Sequence, residues 1–236
     1  MGLIARFYIR FPNHIIKIKN MKNTANLKNG ISRAEQKLLT RKKLIDTTLD
    51  VIAEGGLSSV TMARVAVNAG LSQGICNFHF KSKDQLLLEV LKVVIREFRE
   101  TWKNIIKEAN LAPSKRLRKM IKVLLSPPVA STHRLSVWFA FWGEVRFRKK
   151  YLTICQTFDR ELEDDFETLV RELIAGNADN NQGTSPRIIS LGVIAMIDGY
   201  HLDFLLTPDL IGSEIAIQSC LAFLRGQFPK CDDFLF

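Results

Sequence analysis

The chain has 236 residues, 47% of them hydrophobic and 25% charged, ordinary globular usage that excludes wholesale disorder, a collagen-like repeat and a mini-protein in need of staples. Its 34 Lys and Arg against 24 Asp and Glu give a net charge of +10. Residues 1–108 hold 19 basic and 9 acidic side chains while 109–236 hold 15 of each, so a front half suited to a polyanion precedes a neutral half with another task.

Residues 1–34 carry seven basic side chains and no acidic one. Arg6, Arg10, Lys17 and Lys19 break every apolar run there, which argues against a secretion signal, and Arg6 stands where a myristoylation motif needs Ser or Thr. This stretch reads as a disordered basic extension: a backbone-gripping arm, a transit-like leader, or residues upstream of a translation start at Met21. The longest apolar run, 188–197, meets Asp198, His201 and Asp203, short of the roughly 20 residues that span a bilayer, so no membrane segment is expected. Cys76, Cys155, Cys220 and Cys231 form no C-x-x-C pair and have no His at ligand spacing. They read as reduced thiols of a cytoplasmic protein, with neither a disulfide framework nor a metal site.

Apolar residues recur at three and four throughout, which predicts an all-α protein of about nine helices. The first runs over about 35–54, with Leu38, Ile45, Leu49 and Ile52 on one face, and Gly55-Gly56 stops it. A short second helix is capped by Thr61 and ended by Gly70; a third begins at Ser72. The fourth opens on the capping box Ser82-Lys83-Asp84-Gln85 and continues to about 107, with Leu86, Leu87, Val90, Val94, Phe98, Trp102 and Ile105 as its core stripe. Further helices are predicted at about 114–125, 132–146, 149–176, 186–206 and 211–227, separated by Pro127-Pro128 and the polar run 176–183.

The stretch Thr61 to His79, TMARVAVNAGLSQGICNFH, is a helix, a tight turn on Ala69-Gly70-Leu71-Ser72, and a second short helix. Gly70 supplies the backbone freedom of the turn, Leu71 plugs the pair into a core, and Ser72 caps the helix that would enter a DNA major groove. With Gly56, Thr61 and Val65-Ala66 before the turn and Phe78-His79-Phe80 and Lys83 after it, the segment 37–85 resembles the TetR family of one-component bacterial repressors. The resemblance implies a three-helix DNA-binding domain at 35–82 and a helical ligand-binding and dimerisation domain at 83–236, binding double-stranded operator DNA as a homodimer released by a small-molecule effector.

Carried onto this sequence, it makes Thr61 and Lys83 phosphate holders, with Arg64 and Ser72 beside them. His79 is either a phosphate donor or a half-buried structural histidine. Gln73 and Asn77, one turn apart, have the amides that read adenine, and Gly74 lets the backbone approach. Arg41, Lys42 and Lys43 could reach flanking phosphates. Asn77-Phe78 departs from the Tyr pair of many relatives.

In the back half, Val137-Trp138-Phe139-Ala140-Phe141-Trp142 puts two Trp rings a turn apart, as a core anchor or as the wall of a cage. Asp198 falls in line with Leu191, Ile194, Leu202 and Leu205, where an ionised carboxylate is expensive without a cation. That cation is either an Arg or a ligand held by aromatic faces. The segment Trp138 to Trp142 with Ile197-Asp198-Gly199 resembles the choline-responsive BetI subgroup, whose second motif ends in Trp where this chain reads Tyr200-His201. The resemblance implies a site of Trp138, Phe139, Trp142, Phe158, Asp198 and Tyr200, with choline as effector and no cofactor. The acidic run Glu161, Glu163, Asp164, Asp165 and Glu167 lacks the partners of a di-iron site and reads as a solvated face. With no P-loop, G-x-S-x-G or H-E-x-x-H in the sequence, no enzyme is expected.

Overall fold

The computed structural model describes residues 32–176 and 183–235, which form nine α-helices, three short 3-10 turns and no strand. The predicted basic extension falls almost wholly on residues outside that description. Contacts divide the chain into Met1–Leu38 and Leu39–Phe236. Of the first, the described part is the start of α1 (Arg33–Gly55), where the Ser32 amide donates to Glu35 at 3.0 Å and the Glu35 amide to Ser32 Oγ at 3.2 Å. That reciprocal box satisfies two donors the helix cannot. The predicted apolar face of α1 is buried at Ile45, Leu49 and Ile52 but not at Leu38, which is 67% exposed.

Within the second unit, α1 packs with α2 (Met62–Asn68) and α3 (Gln73–His79) over Leu44, Val51, Val65, Ala66, Cys76 and Phe80. Thr61 accepts from the Arg64 amide at 3.0 Å and Ser72 from the Ile75 amide at 3.3 Å, so each short helix starts on its predicted cap. Gly70 sits at φ +64° between them, a conformation that strains any side chain. The capping box then opens α4 (Lys83–Ile106): Ser82 Oγ accepts from the Gln85 amide at 3.2 Å and Gln85 Oε1 from the Lys81 amide at 2.8 Å.

The remaining helices are α5 (Pro113–Leu124), α6 (Thr132–Glu144), α7 (Lys149–Gly176), α8 (Pro186–Leu206) and α9 (Ser213–Gln227). Pro113 and Pro186 stand in first turns, where a missing N–H costs nothing. α7 packs on α4, α5 and α8, and α8 in turn on α6 and α9. A Cβ at Gly192 of α8 would lie 2.9 Å from Phe223 Cζ of α9, so the Phe223 ring packs over the bare backbone there and would have to move for any side chain. After α9 the chain folds back: Phe234 is buried against Phe228, Asp233 accepts from Ser114 at 2.6 Å, and Arg118 donates to the Asp233 and Leu235 carbonyls.

α8 keeps its predicted bounds, running through Asp198, His201 and Asp203 for 21 residues; by length and composition it is the one helix among the described residues apolar enough to cross a membrane, a test that a core helix also passes. Its Ile189, Val193, Ile197, His201 and Phe204 are buried inside the fold, while Ile188, Leu191, Ala195, Gly199, Leu202 and Leu206 form an exposed stripe at steps of three and four. The four cysteines are free thiols, and burial pushes Cys155 up to about 11 and Cys220 up to about 12.

Candidate functional site

The α2–α3 pair builds one face of the molecule. Cys76 is buried and Leu71 half-buried on its inner side, which turns Gln73, Gly74, Ile75, Asn77 and Phe78 outward. The spacing that buries Cys76 therefore exposes both amides named from the sequence, together with a large apolar ring, Phe78, 71% exposed. Thr61 and Ser72 are exposed at the two helix starts, and Lys83 is half-buried at the first position of α4. His79 is half-buried between Phe78 and Phe80, at ring distances of 5.3 and 6.4 Å.

Two cations of this face are already engaged. Lys42 pairs with Asp46 at 2.5 Å, and Arg64 with Glu54 at 3.5 Å, both at exposed sites where such pairs are weak and a phosphate can displace them. Arg41 is spent otherwise: it lies over the Phe80 ring at 5.0 Å and donates to Glu89 at 2.6 Å, tying α1 to α4.

Between α4, α5, α6, α7 and α8 lies a cavity of about 180 Å³. Phe98 of α4, Trp138 of α6 and Phe158 of α7 pack ring on ring, Phe98 stacking on Trp138 at 5.9 Å and Trp138 lying 5.3 Å from Phe158. Trp142 stands at the opening, 43% exposed, so it closes the cavity and is no core anchor; Trp138, 8% exposed, is both wall and anchor. α8 contributes Ile194, Ile197, Asp198 and His201, the i, i+3, i+4, i+7 set of one helix face.

Two residues named from the sequence do not reach the cavity. Phe139 is about 100° around α6 from Trp138 and packs edge-on against Trp142 at 5.6 Å. Tyr200 is about 200° around α8 from Asp198 and stacks on Phe204. Sequence reading missed Phe98, Leu124, Asp159, Leu162, Glu163 and His201, all of which line it. The signal for Asp159 was its place next to Phe158, one position off the packing stripe.

The electrostatics follow from burial. Asp198 is pushed up to about 6 by desolvation and then by the charge of Asp159; Asp159 is pushed up to about 6 by desolvation and then by Glu163. Among the described residues neither Asp159 nor Asp198 forms an ion pair, so the arginine partner considered for Asp198 is absent there. Glu163 is held by Arg187 at 3.4 Å. His201 is kept neutral by burial, and its Nε2 lies 2.8 Å from the Leu124 carbonyl, the position of a donated hydrogen bond. The cavity thus presents aromatic faces and two carboxylates without a counter-charge.

The acidic run beside it is not a solvated face. Glu161 pairs with Arg99 at 2.6 Å, Asp165 accepts from Lys103 at 2.6 Å and Trp102 Nε1 at 2.7 Å, and Glu167 binds Arg171 and Arg187. These bonds fasten α7 to α4 and α8 around the cavity, while Asp164 is exposed.

Two family models match separate parts of the chain. Residues 44–90 match the model of bacterial regulatory proteins of the tetR family, and residues 113–229 that of the BetI-type transcriptional repressor C-terminal region. The chain is 27% identical over 198 residues to the HTH-type transcriptional regulator BetI of Brucella suis biovar 1, covering 83% of this chain and 96% of the relative. It is 28% identical over 182 residues to BetI of Rhizobium meliloti, covering 77% and 84%. A transcriptional regulator from Pseudomonas aeruginosa superposes with a TM-score of 0.68 at 23% identity, covering 79% of this chain and 88% of that one. A regulator from Saccharomonospora viridis solved in complex with choline superposes with a TM-score of 0.70 at 19% identity, covering 81% and 98%. These relatives are regulators and not enzymes. With its helix-turn-helix and the repressor-type bundle behind it, the chain belongs to the TetR family, and its C-terminal domain is of the BetI type.

Proposed function

We propose that this transcriptional repressor binds its operator as a homodimer in the cytoplasm and is released by a small organic cation of the choline type. The observation that carries the reading is the cavity walled by Phe98, Trp138, Trp142 and Phe158 in which Asp159 and Asp198 lack a cation. Aromatic faces and a carboxylate are the means by which a trimethylammonium group is held in a desolvated site. The choline bound to the similar Saccharomonospora viridis regulator supports the same chemistry. No cofactor beyond the effector is invoked.

On the DNA side, Gln73 and Asn77 read bases, with Gly74 giving close approach. Lys42, Thr61, Arg64, Ser72, His79 and Lys83 meet phosphates, which fix register without reading sequence. The exposed stripe of α8, with Ile215 of α9 54% exposed beside it, supports a self-complementary interface about a two-fold axis. Calorimetry with choline, paired with release of the chain from a selected operator fragment, tests the effector. Saturable binding that releases DNA is expected, and release without choline uptake in the cavity variants Trp142→Ala and Asp198→Asn would contradict it.

A second reading has its own observation. The cavity holds two carboxylates without an ion pair where a monocation needs one, and His201, which stands where the resembled subgroup's motif has Trp, adds a polar ring to its wall. Both features favour a ligand with a second positive centre or donor; titration with 1,4-diaminobutane alongside choline separates the two.

A further inference from the structure

A second hollow, of about 500 Å³, lies outside the aromatic cavity where the start of α4 meets the junction of α6 and α7. Ser82, Gln85, Arg148, Lys149, Lys150 and Tyr151 line it, together with Asp84. Tyr151 is 3% exposed, and its hydroxyl is buried with no hydrogen-bond partner among the described residues. A buried phenol in that state forgoes a hydrogen bond it could make in water, a cost natural folds accept where something else supplies the partner. The ring is fixed, edge-on against Phe141 at 5.5 Å, with the Arg148 guanidinium 5.4 Å over its centre.

The other polar groups of the hollow are mostly donors. Gln85 already uses Oε1 to accept from the Lys81 amide, which leaves its amide nitrogen to donate. The single carboxylate, Asp84, is matched by Arg148 at 3.0 Å, and Arg148 also reaches Glu144 at 3.1 Å. Lys149 and Lys150 are exposed and form no ion pair among the described residues. They also open α7, where the Tyr151 and Leu152 amides already donate to the Arg148 carbonyl at 2.9 and 3.1 Å. Burial raises the Tyr151 hydroxyl, so it stays a donor at neutral pH.

We infer that this hollow is a second small-molecule site, for the oxyanion of a carboxylate- or phosphate-bearing metabolite, with the Tyr151 hydroxyl as its buried donor and Lys149 and Lys150 as its charge. It takes a ligand of opposite sign to the one proposed for the aromatic cavity and does not depend on that proposal.

The test is calorimetry on the full chain with inorganic phosphate and, separately, succinate, each at constant ionic strength against chloride. One saturable site per chain is expected for at least one of the two anions. Tyr151→Phe, which removes only the hydroxyl and keeps the ring, should weaken it about tenfold, the worth of a hydrogen bond to a charged group. Lys149→Ala with Lys150→Ala should weaken it at least as much. Absence of saturable uptake of both anions overturns the inference. So does uptake that survives Tyr151→Phe and the double lysine variant but falls in Lys83→Ala, which would put the anion on the DNA face.

Discussion

At the scale of single residues, neighbouring side chains are divided by helix phase. Trp142 and Trp138 are four apart and share the cavity, while Phe139, one position along, is turned out of it. Because Trp142 is half-exposed at the opening, Trp142→Ala should leave thermal unfolding within a few degrees of the parent. It should weaken effector binding by about 1–2 kcal/mol, the range of a desolvated cation–π contact, with operator affinity kept. Asp198 gives the sharper test. Its carboxyl binds protons more tightly in the fold than in the unfolded chain, so the ligand-free protein should gain stability as pH falls from 7 toward 5 and lose it as pH rises through about 6. Asp198→Asn should then raise ligand-free stability at pH 7 by about 1–3 kcal/mol while removing most of the affinity for a cation. On the DNA face, Gln73→Ala should cost about 1–3 kcal/mol at the cognate site alone. Lys83→Ala should weaken every sequence and lower the slope against log salt by about one, as filter binding on cognate and random duplexes would read.

At the scale of elements, the helix ends of the front half were legible because they are written in local chemistry: Thr61, Ser72 and Ser82 cap and Gly70 turns, whereas the caps Ser131 and Ser185 and the first-turn prolines Pro113 and Pro186 went unread. The 3-10 turns Leu57–Ser59, Val145–Phe147 and Asp232–Phe234 carry no such marks and went unread. Rotation about the helix axis was the other blind spot. Asp159 and Glu163 face the cavity while Asp164 faces water, yet all belong to one acid-rich stretch whose period says nothing about which neighbour supplies a cation. The seat of the Phe223 ring on Gly192, where α8 meets α9, is similarly invisible in composition. Gly192→Val would drive carbon into the Phe223 ring and should cost about 1–3 kcal/mol as overpacking, read as a fall in the denaturant midpoint.

At the scale of the whole molecule, the exposed stripe of α8 is where oligomeric state should be decided. Leu202→Glu, one step from its C-terminal end and 42% exposed, leaves the interior untouched. If the proposed homodimer forms on that stripe, analytical ultracentrifugation should show this variant as monomer, and operator binding should fall with it, as for a dimer that places one subunit on each half-site. Effector affinity should also follow acidity. A cation competes with protons for Asp159 and Asp198, Glu163 is held by Arg187, and His201 is neutral. Affinity for choline should therefore be flat above pH 7 and drop by up to about tenfold per pH unit per proton below about 6.

α4 belongs to both halves of the protein. Lys83 at its first position adjoins the DNA face, and Phe98, fifteen residues on, is a wall of the cavity, an axial span of about 22 Å at 1.5 Å per residue. The helix is continuous between the two, and the Asp84–Arg148 pair and the Asp50–His133 contact at 3.1 Å join the same two regions beside it. A tilt of about 3° around the far end, less than the give of a packed helix pair, already moves the near end by about 1 Å over that span. Hydrogen bonds to phosphate tolerate little more than that before they fail. On the proposed reading, an effector that shifts one cavity ring by a fraction of its own width would be enough to carry the Lys83 end off its phosphate.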